Sequence, residues 1–479
     1  MQGDDGAPAG RHAPFSGLTS KAQETQEEVL ARFEQRRAER EVVVPTRNED
    51  VVALLRKLGE PITLFGEREL ERRTRLRSLL ARLDDTALDE ATGRAQREGA
   101  VLGQKVDVQK EVFFTRAPGP VKEVRTWLAD WSLERAMRRV EAQQALGDEG
   151  WAALDARREA VEARLRDMSN ELSEMADDRP VSSCQCSSGG ARLVTGSWNG
   201  TMRVWSMPDM KQQRAIHAHD DRITGVAVHP QADDGQQEGG VHYLSASADS
   251  TAKLWDAEGR LLHTLSGHTD RLARCAFHPS GLCAATASFD ATWRLWDTPT
   301  GTLLYEQEGH SEAVYDVAFH PDGSLAISVG LDAGCRVWDL RTGRSVLALE
   351  GHVQGVLSAS FAPNGYQVAT GSSDHSVRVW DLRKKACEAN IPAHTSLVSA
   401  VRFAPDGDFL LTASFDRTAR VWSARDFTLT GVLRAHEAKV MAAEVCAGRD
   451  PVVVTCSYDR QVKLWRCPPE DSNGDAHMA

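Results

Sequence analysis

The 479-residue chain lacks several things, and each absence removes a class of function. No run approaches the roughly 18 consecutive apolar residues that a membrane-crossing helix needs, and the polar start Met-Gln-Gly-Asp-Asp-Gly-Ala-Pro carries no apolar signal core. A soluble protein that is not secreted, with no membrane partner, is therefore expected. There is no surplus of positive charge. The net charge is −12, whereas proteins that hold nucleic acid chiefly by charge are basic. Any RNA contact is then local or made through a partner. There is no Cys-x-x-Cys pair among the nine cysteines, and only Cys184 and Cys186 lie close together. A zinc ribbon or thioredoxin-like site is excluded on that spacing, and no metal site is expected. Most of the cysteines sit in expected strands and read as small core residues of a protein in a reducing compartment. Finally, there is no Gly-x-Ser-x-Gly elbow, no His-Glu-x-x-His and no phosphate-binding glycine loop. The sequence therefore predicts neither an enzyme nor a cofactor.

What is present divides the chain in two. Residues 1–180 hold 30 Lys/Arg and 35 Asp/Glu, against 27 and 34 in the much longer remainder. The first part reads as solvated helices and linkers, the second as sheet with a large core. Tryptophan recurs at Trp205, Trp255, Trp296, Trp338, Trp380, Trp422 and Trp465, with gaps of 50, 41, 42, 42, 42 and 43 residues. Six positions before each lies Asn199, Asp249, Asp290, Asp332, Asp374, Asp416 or Asp459. His219, His268, His310, His352, His394 and His436 open six of the repeats. The longer first gap contains a polar, Gly-rich insertion around Gln231–Gly240, as a surface loop should be. A period of 40–45 residues with Gly-His and Trp-Asp marks is the WD40 pattern, in which each repeat supplies a four-stranded blade. The expected fold is mainly β, a seven-bladed WD40 β-propeller over residues 168–479, preceded by an α-helical N-terminal region. The first repeat lacks its histidine, and Asp177-Asp178-Arg179-Pro180 stands there instead. A strand around Ser169–Ser173 is expected to pair with the last blade and close the ring.

The recurring polar residues admit two readings. His, Ser and Asp together could form a hydrolase triad. Repetition argues for structure, because an enzyme needs one such site and buried polar groups need partners. His268, Ser288, Asp290 and Trp296, with His310, Asp332 and Trp338 in the next repeat, are therefore assigned to holding loops. The residues just before each turn aspartate should project from one face of the ring. They are Trp198, Ala248, Phe289, Leu331, Ser373, Phe415 and Tyr458. Aromatics in such places are the material of binding hot spots, so Trp198, Phe289, Phe415 and Tyr458 are candidate contacts. Arg222, Arg271 and Lys439, three residues after repeat histidines, add positive charge suited to acidic peptide or RNA phosphate. Trp338-Asp339-Leu340-Arg341 and Trp380-Asp381-Leu382-Arg383 match a Trp-Asp-x-Arg pattern found in adaptor-binding subunits of cullin ubiquitin ligases. The alternative function is thus a substrate receptor of such a ligase.

The N-terminal part reads as a disordered tail (1–20), a helical region (21–83), a linker (84–110) and a helical connector (111–167). Lys21–Glu41 has the composition of an exposed helix. A second helix is expected near Asn48, with Val51, Val52, Leu54, Leu55 and Leu58 on its apolar side and Gly59 ending it. An extended loop, Gly59-Glu60-Pro61-Ile62-Thr63-Leu64-Phe65-Gly66-Glu67, precedes a helix from Glu69 to about Leu83 carrying Arg72, Arg73, Arg75, Arg77 and Arg82. A loop presenting large apolar groups beside a basic helix suits capture by a partner's groove. Its candidate contacts are Glu60, Pro61, Ile62, Leu64, Phe65, Gly66, Arg72 and Arg73.

Leu58 to Glu67, followed by Glu71-Arg72-Arg73-Thr74-Arg75-Leu76-Arg77, closely resembles the splicing-factor motif of pre-mRNA processing proteins. In the WD40 family of the U4/U6 small nuclear ribonucleoprotein that motif precedes seven repeats, which is the order found here. Phe113–Pro120 and Trp127–Ala136 are similar to the family's helical connector, and Tyr315–His320 and Ser457–Arg460 to its propeller. The resemblance implies a nuclear scaffold subunit of the U4/U6 and U4/U6·U5 particles in pre-mRNA splicing. It implies U4/U6 proteins as partners, including the subunit that binds the snRNA duplex, and a cyclophilin-type prolyl isomerase docking on the N-terminal segment. Contact with U4/U6 snRNA would run mainly through those partners. Only short basic pairs, Arg36-Arg37 and Lys384-Lys385, are available for import, so import with a partner is expected.

Overall fold

A computed structural model describes Val44 and residues 48–62, 69–80, 119–145, 147–233, 240–448 and 451–467. The expected helix over Lys21–Glu41, the motif residues Leu64, Phe65 and Gly66, and the linker 84–110 lie outside the described residues. The chain forms two compact units, residues 1–102 and 103–479.

The first unit is a helical pair, α1 (Asn48–Lys57) and α2 (Glu69–Leu80). Val51 and Leu55, one turn apart, face Leu76 and Leu80, again one turn apart, with Val44 completing the cluster. After α1, Gly59 takes φ +72. Its N–H reaches Arg56 O while Glu60 N–H reaches Leu55 O, the Schellman pattern that satisfies the last carbonyls of a helix.

The second unit begins with α3 (Gly119–Ala145) and α4 (Asp148–Arg166) and continues into 28 strands. They make seven antiparallel four-stranded sheets. Blade 1 is β2 (Val181–Cys186), β3 (Arg192–Ser197), β4 (Thr201–Ser206) and β5 (Lys211–His217). Blades 2 to 6 repeat that meander, with inner strands β6 (Ile223–Val228), β10 (Leu272–Phe277), β14 (Val314–Phe319), β18 (Val356–Phe361) and β22 (Val398–Phe403). Blade 7 takes β26 (Val440–Cys446), β27 (Val452–Ser457) and β28 (Gln461–Arg466) from the end of the chain. Its outer strand is β1 (Ser169–Met175), from before the first blade. Ser169 pairs with Arg466 and Met175 with Gln461, so the ring is closed by hydrogen bonds between the two ends of the domain. Closure of this kind completes the seventh blade and leaves only short, protected sheet edges.

Seven hydrophobic clusters fill the seven blade junctions. Each holds one repeat tryptophan packed against the preceding blade: Trp338 with Trp293 and Leu295 of blade 3, for example, and Trp205 with Val454 and Leu464 of blade 7. The 42-residue tryptophan period is therefore the period of the junctions. Ring closure also brings together Cys186 of β2 and Cys446 of β26, 260 residues apart, as a disulfide. This departs from the expectation, drawn from their sitting mostly in strands, that the cysteines are small core residues of a protein in a reducing compartment. Six of the other seven are buried and unbridged. Sequence distance hid the pair, because only closure makes the first and last inner strands neighbours.

The strand order gives the ring two faces. The turns between first and second strands and between third and fourth strands lie on a lower face. The turns between second and third strands, and the links between blades, lie on an upper face. Helices α3 and α4 run along the lower face. Val121 and Leu128 of α3 enter the core between blades 3 and 4. Trp131 sits over His278, with ring centroids 5.3 Å apart. Arg139 donates to both carboxylate oxygens of the buried Asp322 at 2.7–3.1 Å, and to Asn364 O at 2.9 Å, bridging blades 4 and 5. In α4, Leu165 packs into the core of blades 6 and 7, and Arg157 pairs with Asp406 and Asp408.

Candidate functional site

The upper face is built on a polar set repeated in blades 2 to 7. In blade 3, His268 Nδ1 lies 2.7 Å from Asp290 Oδ2, and His268 Nε2 lies 2.8 Å from Thr286 Oγ1. Trp296 Nε1–H donates to that same oxygen at 2.9 Å. Blade 4 repeats it: His310 meets Asp332 and Ser328, and Trp338 donates to Ser328 Oγ at 2.8 Å. The hydroxyl in the blade 3 set is thus Thr286, not the expected Ser288. Ser288 instead accepts from Asp290 N and donates to Arg271 O, holding the turn. The reason is register: Ala284, Thr286 and Ser288 share a face of β11 (Cys283–Ser288), and Ala284 is the register partner of Trp296, so the indole reaches Thr286, two residues on, and not Ser288, four residues on.

Counting donors fixes the protons. Indole N–H can only donate, so the hydroxyl oxygen accepts it, and the hydroxyl proton goes to His Nε2. The ring is then a neutral Nδ1–H tautomer that donates to the aspartate. Protons run from Trp through Thr or Ser and His to Asp, every donor used once. Burial disfavours a charged ring and pushes the His219 and His394 pKa values down. For Asp290, burial pushes the carboxyl up, but the bonds from His268 and Thr292 outweigh it and bring it down to about 2. The constellation matches a hydrolase triad in its contacts, yet Ser245, Thr286, Ser328, Thr370, Thr412 and Thr455 are all fully buried. Each hydroxyl oxygen already holds an indole proton, and no substrate carbonyl can reach it. Blade 1 keeps only part of the set: Trp205 donates to Thr195 at 3.0 Å, while the buried Asp177 stands 3.6 Å from Arg203.

These sets position the turn residues just before each aspartate. In every blade that residue's N–H donates to the carbonyl of the residue preceding the inner strand: Trp198 to Pro180, Ala248 to Arg222, Phe289 to Arg271, Leu331 to Ala313, Ser373 to Gly355, Phe415 to Leu397 and Tyr458 to Lys439. Two concentric rings of side chains result. The structure brings the expected aromatics and cations together on them. Arg222 lies 5.5 Å over Trp198, Arg271 3.9 Å over Phe289, and Lys439 4.8 Å over Phe415. Tyr458, 45% exposed, meets Trp198 edge-on at 5.4 Å. By contrast, Arg341 and Arg383 of the two Trp-Asp-Leu-Arg strings fold back onto Asp339 and Asp381, at 3.1 and 3.0 Å, in lower-face turns.

In the helical unit, Glu60 and Pro61 are exposed and Ile62 half-buried. Arg75 donates to Pro61 O at 2.8 Å and holds the start of the loop against α2. Arg72 and Arg73, expected to meet a partner, are buried, and Arg73 donates to Val44 O at 3.1 Å. Val51, Leu55, Leu76 and Leu80 make too small a core to cover themselves, and the arginine stems add apolar cover.

Two further groups escaped the sequence reading. His229, His278 and His320 end the inner strands of blades 2, 3 and 4. Each donates from Nε2 to a turn glycine carbonyl of the next blade: Gly281 at 3.2 Å, Gly323 at 2.9 Å and Gly365 at 2.7 Å. The signal was there as His-Pro at 229–230, 278–279 and 320–321. Along the axis, Arg402 pairs with Glu444 at 3.1 Å and lies 3.9 Å from Asp316. Arg274 donates across to Ser399 O at 3.1 Å. No repeat pattern carries these four charges, so nothing in the period announced them. Among the described residues no group of His, Cys, Asp or Glu has the arrangement of a metal site, and no helix is long and apolar enough to cross a membrane.

Comparison with known proteins agrees with this architecture. The profile of the family described as "WD domain, G-beta repeat" matches seven times, from residues 171–206 to 427–466, each match holding one repeat tryptophan and joining the outer strand of one blade to the first three strands of the next. The profile described as "pre-mRNA processing factor 4 (PRP4) like" matches residues 51–79, which spans most of α1 and α2 and the loop between them. The chain is 39% identical over 238 residues to the U4/U6 small nuclear ribonucleoprotein Prp4 of Homo sapiens, covering 48% of this chain and 45% of that one. It is 41% identical to a U4/U6 small nuclear ribonucleoprotein PRP4-like protein of Arabidopsis thaliana (53% and 45% covered), and 31% identical to PRP4 of Saccharomyces cerevisiae (54% of each). The chain spans about half the length of the curated relatives it matches. With seven repeat matches that together cover more than half of its length, the chain belongs to the WD-repeat family, and it carries a PRP4-like segment ahead of its propeller.

Proposed function

We propose that the protein is a nuclear scaffold subunit of the U4/U6 and U4/U6·U5 small nuclear ribonucleoproteins, acting in pre-mRNA splicing. The observation that carries this reading is the joining of a PRP4-like segment to a seven-bladed propeller in a chain of which about half matches relatives named for the U4/U6 particle. Catalysis forms no part of the proposal: the one triad-like constellation is buried and repeated six times. The propeller is a rigid platform, its lower face taken by α3 and α4 and its upper face open to a second macromolecule. The PRP4-like segment is the tether. Its exposed Glu60 and Pro61, with Ile62, Leu64, Phe65 and Gly66, are the proposed contacts with U4/U6 proteins. Those include the subunit on the snRNA duplex and a cyclophilin-type isomerase, and contact with the RNA runs mainly through these proteins. Depleting the protein from a splicing-competent nuclear extract tests the reading. Splicing of a reporter transcript should fall and return with the full chain, while a chain lacking residues 59–67 should restore little. Full activity of the depleted extract would overturn the proposal, and full rescue by the shortened chain would overturn the tether.

A further inference from the structure

Three cations on the upper face, Arg222, Arg271 and Lys439, share one setting that differs from that of Arg139, Arg402 and Arg425. Arg139, Arg402 and Arg425 each meet a carboxylate. Arg222, Arg271 and Lys439 form no ion pair among the described residues, and each is laid over an aromatic ring instead. They occupy one arc. Lys439 belongs to blade 7 and rests on Phe415 of blade 6, Arg222 of blade 2 rests on Trp198 of blade 1, and Arg271 and Phe289 both belong to blade 3. The equivalent positions of blades 4 and 5 are Ala313 with Leu331 and Gly355 with Ser373, which carry no charge.

We propose that this arc, over blades 6, 7, 1, 2 and 3, is a docking site for an acidic linear peptide of a partner protein. A guanidinium stacked on a ring has lost much of its rotational freedom but keeps its edge N–H groups, which fit a carboxylate two bonds at a time. The ring supplies apolar surface beside it, as at interface hot spots. Charge favours a peptide over RNA. Asp221 and Asp270 stand immediately before Arg222 and Arg271, and Glu437 two residues before Lys439. Such carboxylates repel a continuous phosphate chain, whereas a peptide can space its acidic groups between them. Each cation also covers a ring face on which a base would stack. The proposal stands whether or not the chain joins the U4/U6 particle.

The test is selection of a random phage-displayed peptide library on the full chain, with counter-selection on the Arg222→Gln, Arg271→Gln, Lys439→Gln triple variant. Thermal midpoints confirm that the variant is folded; the three single variants serve if it is not. Peptides with spaced Asp and Glu should emerge, and fluorescence anisotropy of their consensus should show about tenfold weaker binding for each cation replaced. Recovery of no peptide, of peptides without acidic enrichment, or of peptides that bind the variants equally well would overturn the proposal. So would a fluorescein-labelled oligouridylate that binds the wild type and is released by the same substitutions, which would make the surface an RNA site.

Discussion

Replacing Thr286 by valine keeps the shape of the side chain and removes one oxygen, so it isolates the donor chain of blade 3. Two buried groups lose their partner at once: the indole N–H of Trp296, 2.9 Å from that oxygen, and His268 Nε2, 2.8 Å from it. Stranding a buried polar group costs about 1–3 kcal/mol, so Thr286→Val should lose roughly 2–6 kcal/mol. Blade 1 provides the internal standard. Thr195 holds only the indole of Trp205, so Thr195→Val should lose about half as much. A third variant sharpens the reasoning. Trp296→Phe removes the indole donor, so in the Thr286→Val, Trp296→Phe double variant only the histidine is stranded. The double variant should therefore lose less than the sum of the two single losses, with a coupling on the order of 1 kcal/mol. Urea denaturation followed by tryptophan fluorescence and by circular dichroism gives the numbers. Equal losses for Thr286→Val and Thr195→Val, or strict additivity in the cycle, would refute the proton chain from Trp through Thr and His to Asp.

Three further perturbations follow from the same geometry. Burial holds the His278 pKa down from 6.5 to about 4 despite its bond to Gly323 O. Such a ring contributes its full stability above pH 6.5 and loses it as pH falls towards 4, about 3 kcal/mol in all. His278→Gln should flatten the decline of the urea midpoint across that window, and an unchanged slope would contradict the assignment. Arg139→Ala leaves Asp322 buried without its bidentate partner. It should cost about 3 kcal/mol and speed proteolysis between Ala145 and Asp148, whereas wild-type cleavage rates would show that α3 is held by its apolar face alone. Gly323→Ala puts a methyl group 2.5 Å from both His278 and Trp131 at a residue with φ +76. A loss of about 2 kcal/mol or more is expected in the same titration, and a neutral result would mean that the α3 contact yields at no cost.

The parts of the fold that could be read in advance were those that repeat. Tryptophans 42 residues apart announced the blades because each fills one junction, and the strand before Pro180 announced closure because it had no other sheet to join. The upper-face cations and aromatics were legible as positions, and their stacking came from the structure. Features that do not repeat stayed hidden. The path of α3 along the lower face depends on single contacts such as Arg139 with Asp322, 183 residues away. The Cys186–Cys446 bridge arises only when the ring is closed, and the axial Arg402–Glu444 pair only when the inner strands of blades 6 and 7 lie side by side. Choosing Ser288 over Thr286 failed for a local reason: both are hydroxyls on one strand face, and only the indole's reach decides between them. Arg72 and Arg73 looked like surface charge because a helical pattern does not show how small its core is.

The central claim, membership of the U4/U6 particle, is tested most directly by capturing the tagged full chain from nuclear extract in moderate salt and sequencing the RNA that comes with it. Enrichment of both U4 and U6 RNAs over other small nuclear RNAs is the predicted result. Absence of both, with cullin and adaptor peptides in their place, would contradict the account and support a substrate-receptor role for the Trp-Asp-Leu-Arg turns.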